Sequence, residues 1–129
     1  REAWSIGVQA PDWADRADAG IIDVLSLTEG AAVTSGNYQR YFISGGVRYH
    51  HIIDPKTLFP AKGVKTVTVL HPDSTAADVL STAAFILPYP EARAMLASHG
   101  AEAMWIMEDG RREMTDGYRR LSKGLKADF

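Results

Sequence analysis

Three polar side chains interrupt a segment that is otherwise rich in alanine and aliphatic residues. Asp78, Ser81 and Thr82 lie three and four positions apart, so a helix would carry them on one face. A carboxylate and a hydroxyl at this spacing are oxygen ligands of the kind that Mg²⁺ binds when phosphates and water complete its coordination. The alternative is structural: Asp78 would interact with the helix dipole in the first turn, and Thr82 would bond the carbonyl four residues earlier.

Two adjacent histidines precede a proline-bounded loop. His51 and Asp54 could act as a general base and its orienting carboxylate, because a neutral imidazole can take a proton from a hydroxyl near neutral pH. Side chains alternate along a strand, so His50 and His51 should face opposite ways, and only one of them can enter a site. The alternative is a partly buried structural histidine, with Asp54 capping the following turn through its own backbone.

A further polar cluster, Thr34, Ser35, Gly36 and Asn37, falls between two predicted strands. Its hydroxyls and backbone amides could bind an anion. The same residues are equally typical of an ordinary turn. The residue types alone leave both interpretations open.

The elements that must position these side chains follow from hydrophobic periodicity. Alternating apolar and polar residues predict strands, and capped runs rich in alanine and leucine predict helices. Predicted strands cover 4–8, 21–27, 31–34, 38–44, 47–53, 64–70, 102–108 and 111–114, predicted helices cover 75–87 and 90–99, and a loop is predicted over 12–20. This order indicates an α+β domain with helices packed on a largely antiparallel sheet.

Turn and cap residues mark the connections between these elements. Gly45-Gly46 and Asp109-Gly110 predict tight hairpins. Asp73 or Ser74 is predicted to cap the first helix, and Gly100 is predicted to end the second.

Composition and charge exclude several classes of protein. The chain has 129 residues, 46% of them hydrophobic, which suits one compact domain. Fourteen Lys and Arg against sixteen Asp and Glu give a net charge of −2, so nucleic-acid binding is not expected. The absence of cysteine excludes disulfides and cysteine-bound metals. No run of about twenty apolar residues predicts a membrane span.

Four motifs follow one another along most of the chain. They are WSIGV at 4–8 with a proline at position 11, VTSGNYQR at 33–40, HIIDPKT at 51–57 and ADVLSTA at 77–83. In content and order they resemble the motifs of the ApbE family, the FAD:protein FMN transferases once described as thiamine biosynthesis lipoproteins. Family members usually carry glycine after the threonine of the histidine motif, where this chain has Leu58.

The resemblance implies a site for FAD and magnesium. It assigns Mg²⁺ binding to Asp78 and Thr82, and it identifies His51 as the family's motif histidine and catalytic residue. Contacts with FAD are implied for Thr34, Ser35, Gly36, His51, Ile53 and Asp54. The implied fold is ApbE-like.

The resemblance also implies a reaction. A threonine hydroxyl of an acceptor flavoprotein attacks the FMN phosphorus of FAD, AMP leaves, and FMN stays covalently attached to the acceptor. Two alternatives remain: an FAD pyrophosphatase that yields FMN and AMP, and a noncatalytic flavin-binding module.

The resemblance implies that residues 1–129 are the C-terminal portion of an ApbE-like domain, so we expect a partial domain. A missing N-terminal portion or a second copy of the chain would then complete the site. Members of the family are typically exported and lipid-anchored, which implies a location in the periplasm or on the outer face of the cell membrane.

Overall fold

The computed structural model describes residues 1–11 and 20–126. The loop predicted over 12–20 therefore lies outside the described residues, except for residue 20. The strands are β1 Trp4–Gln9, β2 Ile21–Leu27, β3 Ala31–Gly36, β4 Tyr41–Ser44, β5 Val47–His50, β6 Val64–His71, β7 Glu102–Met107 and β8 Arg112–Met114. The helices are α1 Ser74–Ile86, α2 Tyr89–Ser98 and α3 Asp116–Leu121. The α+β class with antiparallel strand pairing is confirmed.

The strands form three antiparallel sheets in the described part of the chain. The largest has the order β3-β6-β7-β8, while β1 pairs with β2 and β4 pairs with β5. The β4–β5 hairpin turns through Gly45 and Gly46, whose φ angles of 57° and 77° suit glycine because it lacks a Cβ. None of the helices in the described ranges is long and apolar enough to cross a bilayer.

Hydrophobic side chains cover both faces of the four-stranded sheet. Val67 and Trp105 point to the face that packs against α1, whereas Met104 and Ile106 on the opposite face contact β2 and Tyr118 of α3. Burial on both faces explains why β6 and β7 are almost continuously buried although only every second residue shares a face.

Several predicted boundaries change for local reasons. Asp73 caps α1 by accepting a 2.7 Å hydrogen bond from Ala76 N–H, so the helix begins at Ser74. The predicted strand over 38–44 begins only at Tyr41, because the chain turns after Gly36. The predicted strand over 47–53 ends at His50, where the loop begins.

Helix α3 was not predicted, because its six residues are too few to show helical periodicity. Tertiary contacts hold it in place. The Ser122 hydroxyl donates to both oxygens of the buried Asp23 carboxylate, at 2.9 and 2.7 Å, and the Tyr118 hydroxyl donates to it at 3.3 Å. Burial, together with this carboxylate, raises the pKa of the Tyr118 phenol well above its ordinary value.

The histidine motif continues into a compact loop. Its two ends meet at a bridge between Ile53 and Pro60, and Asp54 N–H donates to Phe59 O at 2.9 Å. Leu58 N–H donates back to Asp54 O at 2.8 Å, and Leu58 has a φ of 61°. This left-handed conformation favours glycine, the residue that the resembled family usually has here.

Asp23→Ala is expected to lower the free energy of unfolding by about 2–4 kcal/mol, because two hydroxyl donors lose a buried charged acceptor. Asp23→Asn keeps an acceptor oxygen and should lose less. Urea denaturation of the two variants measures the difference, and equal losses would show that the charge of Asp23, not its hydrogen bonds, stabilises α3.

Leu58→Gly is expected to leave the free energy of unfolding unchanged or to raise it by up to about 1 kcal/mol. Relief of the left-handed strain offsets the entropy that glycine adds to the unfolded chain, and the exposed leucine side chain loses little packing. Lys56→Gly, in the same loop at a residue without a positive φ, is the matched control and should cost about 0.5–1 kcal/mol. If thermal or urea unfolding gave equal losses of unfolding free energy for Leu58→Gly and Lys56→Gly, the inference that Leu58 is strained would be wrong.

Candidate functional site

Helix α1 brings two of the sequence motifs together through a buried hydrogen bond. Ser81 is fully buried, and its Oγ lies 2.8 Å from Ser35 Oγ on β3. The Ser81 hydroxyl also donates to Asp78 O at 2.9 Å. Ser81 therefore faces the sheet, and the prediction that Asp78, Ser81 and Thr82 share one face is wrong for Ser81. Three residues turn a helix by about 300°, which is enough to rotate Ser81 to the buried side.

Asp78 and Thr82 lie one turn apart on the exposed side of α1. The Thr82 hydroxyl donates to Asp78 O at 3.4 Å, which confirms the predicted bond to the carbonyl four residues earlier. Because the hydroxyl acts as the donor in this bond, its oxygen lone pairs stay available to a ligand. The Asp78 carboxylate has no hydrogen-bond or ion-pair partner among residues 1–11 and 20–126. Asp78 is the fifth residue of α1, so the first-turn dipole explanation is wrong; α1 has no acidic residue in its first turn.

These two side chains fit a hydrated magnesium ion. The Asp78 carboxylate and the neighbouring Thr82 hydroxyl would supply two oxygen ligands, and Mg²⁺ typically takes waters and substrate phosphates as its other ligands. Within the described ranges, no group of three or more histidine, aspartate or glutamate side chains could hold a metal ion by itself. Asp78 and Thr82 could therefore hold a metal ion only together with ligands from elsewhere.

The polar cluster at Thr34 lies mostly within a strand. Thr34, Ser35 and Gly36 form the end of β3, so the interpretation of this cluster as a turn is wrong for them, and the turn begins at Asn37. Thr34 Oγ1 lies 2.8 Å from Thr68 Oγ1 on the neighbouring strand. The hydroxyls of Thr34 and Ser35 thus each have a partner within the fold.

Gly36 is required by the packing of Tyr38. A Cβ at this position would lie 2.5 Å from Cε1 of the Tyr38 ring, which is too close for any side chain. Tyr38 is buried, and burial raises the pKa of its phenol. Gly36 therefore has a structural role at the end of β3.

Only one of the two adjacent histidines points into the fold, as predicted, although β5 ends at His50 and His51 lies just outside the strand. His50 is buried, and its ring meets the ring of Phe85 on α1 edge to face at 5.4 Å and 83°. His51 is exposed. The histidine motif is thereby attached to the same helix that carries Asp78 and Thr82.

His51 is oriented by a backbone carbonyl. Its Nδ1 lies 3.3 Å from Arg40 O, and a carbonyl can only accept, so Nδ1 carries the proton and Nε2 is left as the basic nitrogen. The expectation that Asp54 orients the ring of His51 is wrong. Its Oδ1 accepts a 2.9 Å hydrogen bond from Lys56 N–H, because the tight turn after Asp54 brings that amide to the carboxylate.

Two clefts flank the loop that follows His51. One, of about 490 Å³, lies between β5 and residues 59–62, and the other, of about 600 Å³, is lined by Asp54, Lys56 and Tyr89. Ile53 is half exposed near them. His51, Asp78 and Thr82 line neither cleft, and no hydrogen bond or ion pair joins His51 to the other two in the part of the chain that the structure describes.

Sequence reasoning missed the two residues that hold the histidines. Arg40 and Ala61 act through their carbonyl oxygens, at 3.3 Å from His51 Nδ1 and 2.8 Å from His50 Nε2. Every residue has a carbonyl, so no residue type could have signalled these contacts.

Comparisons with known proteins agree with the resemblance. Residues 1–105 match the model of the ApbE family. An FAD:protein FMN transferase of Treponema pallidum (strain Nichols) is 40% identical over 131 residues, covering 100% of this chain and 35% of the relative. One of the same name from Rhodobacter capsulatus is 33% identical, covering 98% and 24%.

Solved structures show the same fold. The ApbE protein of Thermotoga maritima superposes with a TM-score of 0.85 at 37% identity, covering 96% of this chain and 40% of that one. The flavin transferase ApbE of Vibrio cholerae gives a TM-score of 0.72 at 27% identity, covering 92% and 37%. The chain thus spans well under half the length of these relatives. Because the family model matches most of the chain and the fold agrees, this chain belongs to the ApbE family.

Proposed function

We propose that this chain forms part of an FAD:protein FMN transferase that transfers FMN from FAD to a threonine hydroxyl of an acceptor flavoprotein. The observation that carries the proposal is the His51 imidazole, exposed and with Nδ1 engaged by Arg40 O, so that Nε2 is free to take a proton. The names of the relatives in Treponema and Rhodobacter support the same chemistry.

In the proposed reaction, His51 Nε2 removes the proton from the threonine hydroxyl as that oxygen attacks the phosphorus of the FMN half of FAD. The new bond joins the threonine oxygen to phosphorus. The bond from that phosphorus to the bridging oxygen breaks, and AMP leaves with the bridging oxygen. FMN remains attached to the acceptor through a phosphoester, and no oxidation or reduction takes place.

Asp78 and Thr82 would hold Mg²⁺ beside the pyrophosphate through the carboxylate and the hydroxyl. A bound Mg²⁺ would neutralise part of the negative charge of the pyrophosphate. Thr34, Ser35, Gly36, Ile53 and Asp54 remain proposed contacts for FAD. The bonds of Thr34, Ser35 and Asp54 within the fold favour a role for these residues in shaping the backbone near FAD.

His51, Asp78 and Thr82 line neither of the two clefts beside the loop, which supports a site that is completed by further protein surface. We propose that the surface comes from an N-terminal portion of the domain or from a second copy of the chain. By family membership alone, we also propose an extracytoplasmic, lipid-anchored location.

His51→Ala in the full-length protein is expected to lower the rate of FMN transfer by about a hundredfold or more, because the general base is lost. The free energy of unfolding should change by less than about 0.5 kcal/mol, since His51 is exposed. In-gel flavin fluorescence of an acceptor flavoprotein, together with AMP release, measures the transfer.

His99→Ala is the matched control, because His99 is another exposed histidine and lies at the end of α2. It should keep the wild-type rate. Undiminished transfer by His51→Ala would refute the base assignment. AMP release without labelling of the acceptor would instead identify an FAD pyrophosphatase.

Asp78→Ala is expected to weaken FAD binding in the presence of Mg²⁺ by about tenfold, equivalent to about 1.4 kcal/mol, and to leave binding in EDTA unchanged. Glu91→Ala, which removes an exposed carboxylate from the first turn of α2, should preserve the difference between Mg²⁺ and EDTA. Titration of FAD into each full-length variant measures this, and Mg²⁺-dependent binding that survives Asp78→Ala would exclude the metal role.

A further inference from the structure

Both ring nitrogens of His50 have a hydrogen-bond partner, in addition to the packing of its ring. Its ring is buried against Phe85, its Nε2 lies 2.8 Å from Ala61 O, and its Nδ1 lies 3.2 Å from Ile52 N. The carbonyl can only accept and the amide can only donate. Nε2 therefore carries the proton and donates to Ala61 O, while the bare Nδ1 accepts from Ile52 N–H.

The two hydrogen bonds of His50 close the loop of the histidine motif at both ends. Ile52 precedes the loop and Ala61 follows it, and Ala61 N–H also donates directly to Ile52 O at 2.9 Å. The ring of His50 thus joins the start of the loop to its end, and Phe85 joins both to α1.

The Ile52 amide belongs to the peptide unit that follows His51. Fixing this amide against His50 Nδ1 restricts the ψ angle of His51. On the other side, His51 N–H donates to Arg40 O at 3.1 Å, which restricts its φ angle. The backbone of His51 is therefore held on both sides, and from that backbone its ring reaches Arg40 O through Nδ1.

We propose that His50 is a positioning residue that holds the imidazole of His51 in its productive direction through the Ile52 amide. This inference rests on the proposed function of His51 as the base. A shift of about 1 Å in a reacting group can cost about a hundredfold in rate, so a base on an exposed loop needs such support.

Two variants of His50 separate its two hydrogen bonds. His50→Asn places an amide oxygen where Nδ1 lies, so it can accept from Ile52 N–H but cannot reach Ala61 O. His50→Gln extends an amide donor toward Ala61 O and leaves Ile52 N–H without its acceptor. His50→Ala removes both bonds.

In the full-length protein, kcat for FMN transfer is expected to fall about tenfold or more in His50→Ala and His50→Gln, with KM for FAD within about twofold of wild type. His50→Asn should recover kcat to within about threefold. Rates are normalised to the folded fraction. Equal kcat in the Asn and Gln variants, or an unchanged kcat in His50→Ala, would overturn the inference.

A readout without catalysis separates this inference from the proposed function. Ring-nitrogen NMR of histidine-labelled protein should show a single His51 tautomer, with Nδ1 protonated, in the wild type and in His50→Asn. In His50→Ala the His51 signals should shift toward a mixture of tautomers. If the wild type transfers no FMN, the proposed function fails and the NMR comparison still decides the inference. His51 signals that ignore every His50 variant would overturn it.

Discussion

The packing of α1 on the four-stranded sheet is the constraint on which the rest of the site depends. One face of this helix buries Leu80, Ala84 and Phe85 in the same core as Val67 and Trp105. Two motifs far apart in sequence attach to that helix, one through the bond between Ser35 and Ser81 and the other through the contact between His50 and Phe85. A displacement of α1 would therefore disturb both motifs together with Asp78 and Thr82.

The polar contacts in this interface are specific because they are buried. A hydroxyl removed from water without a partner costs free energy, so Ser35 and Ser81 each stabilise the position of the other. Apolar side chains pack the same interface, and the 2.8 Å hydrogen bond adds a directional contact that helps to fix the register of the helix on β3. The exposed pair Asp78 and Thr82 takes its position from this buried bond.

The backbone carbonyl of Arg40 orients the imidazole of His51, a role that the sequence had predicted for the Asp54 carboxylate. The ring of His51 faces Arg40 O, and Asp54 instead closes its own turn. A neutral acceptor fixes the tautomer of a base without placing a negative charge beside a site proposed for a pyrophosphate.

The sequence by itself determined the class of fold and most of the elements, because periodicity is a local property of the chain. It also indicated that only one of His50 and His51 points into the fold. It also determined the family, because four ordered motifs are specific. Only the tertiary structure decided the inward rotation of Ser81, the presence of α3 and the partner of His51. Each of these depends on atoms distant in sequence, and for His51 on a carbonyl that every residue possesses, so no local pattern could encode it.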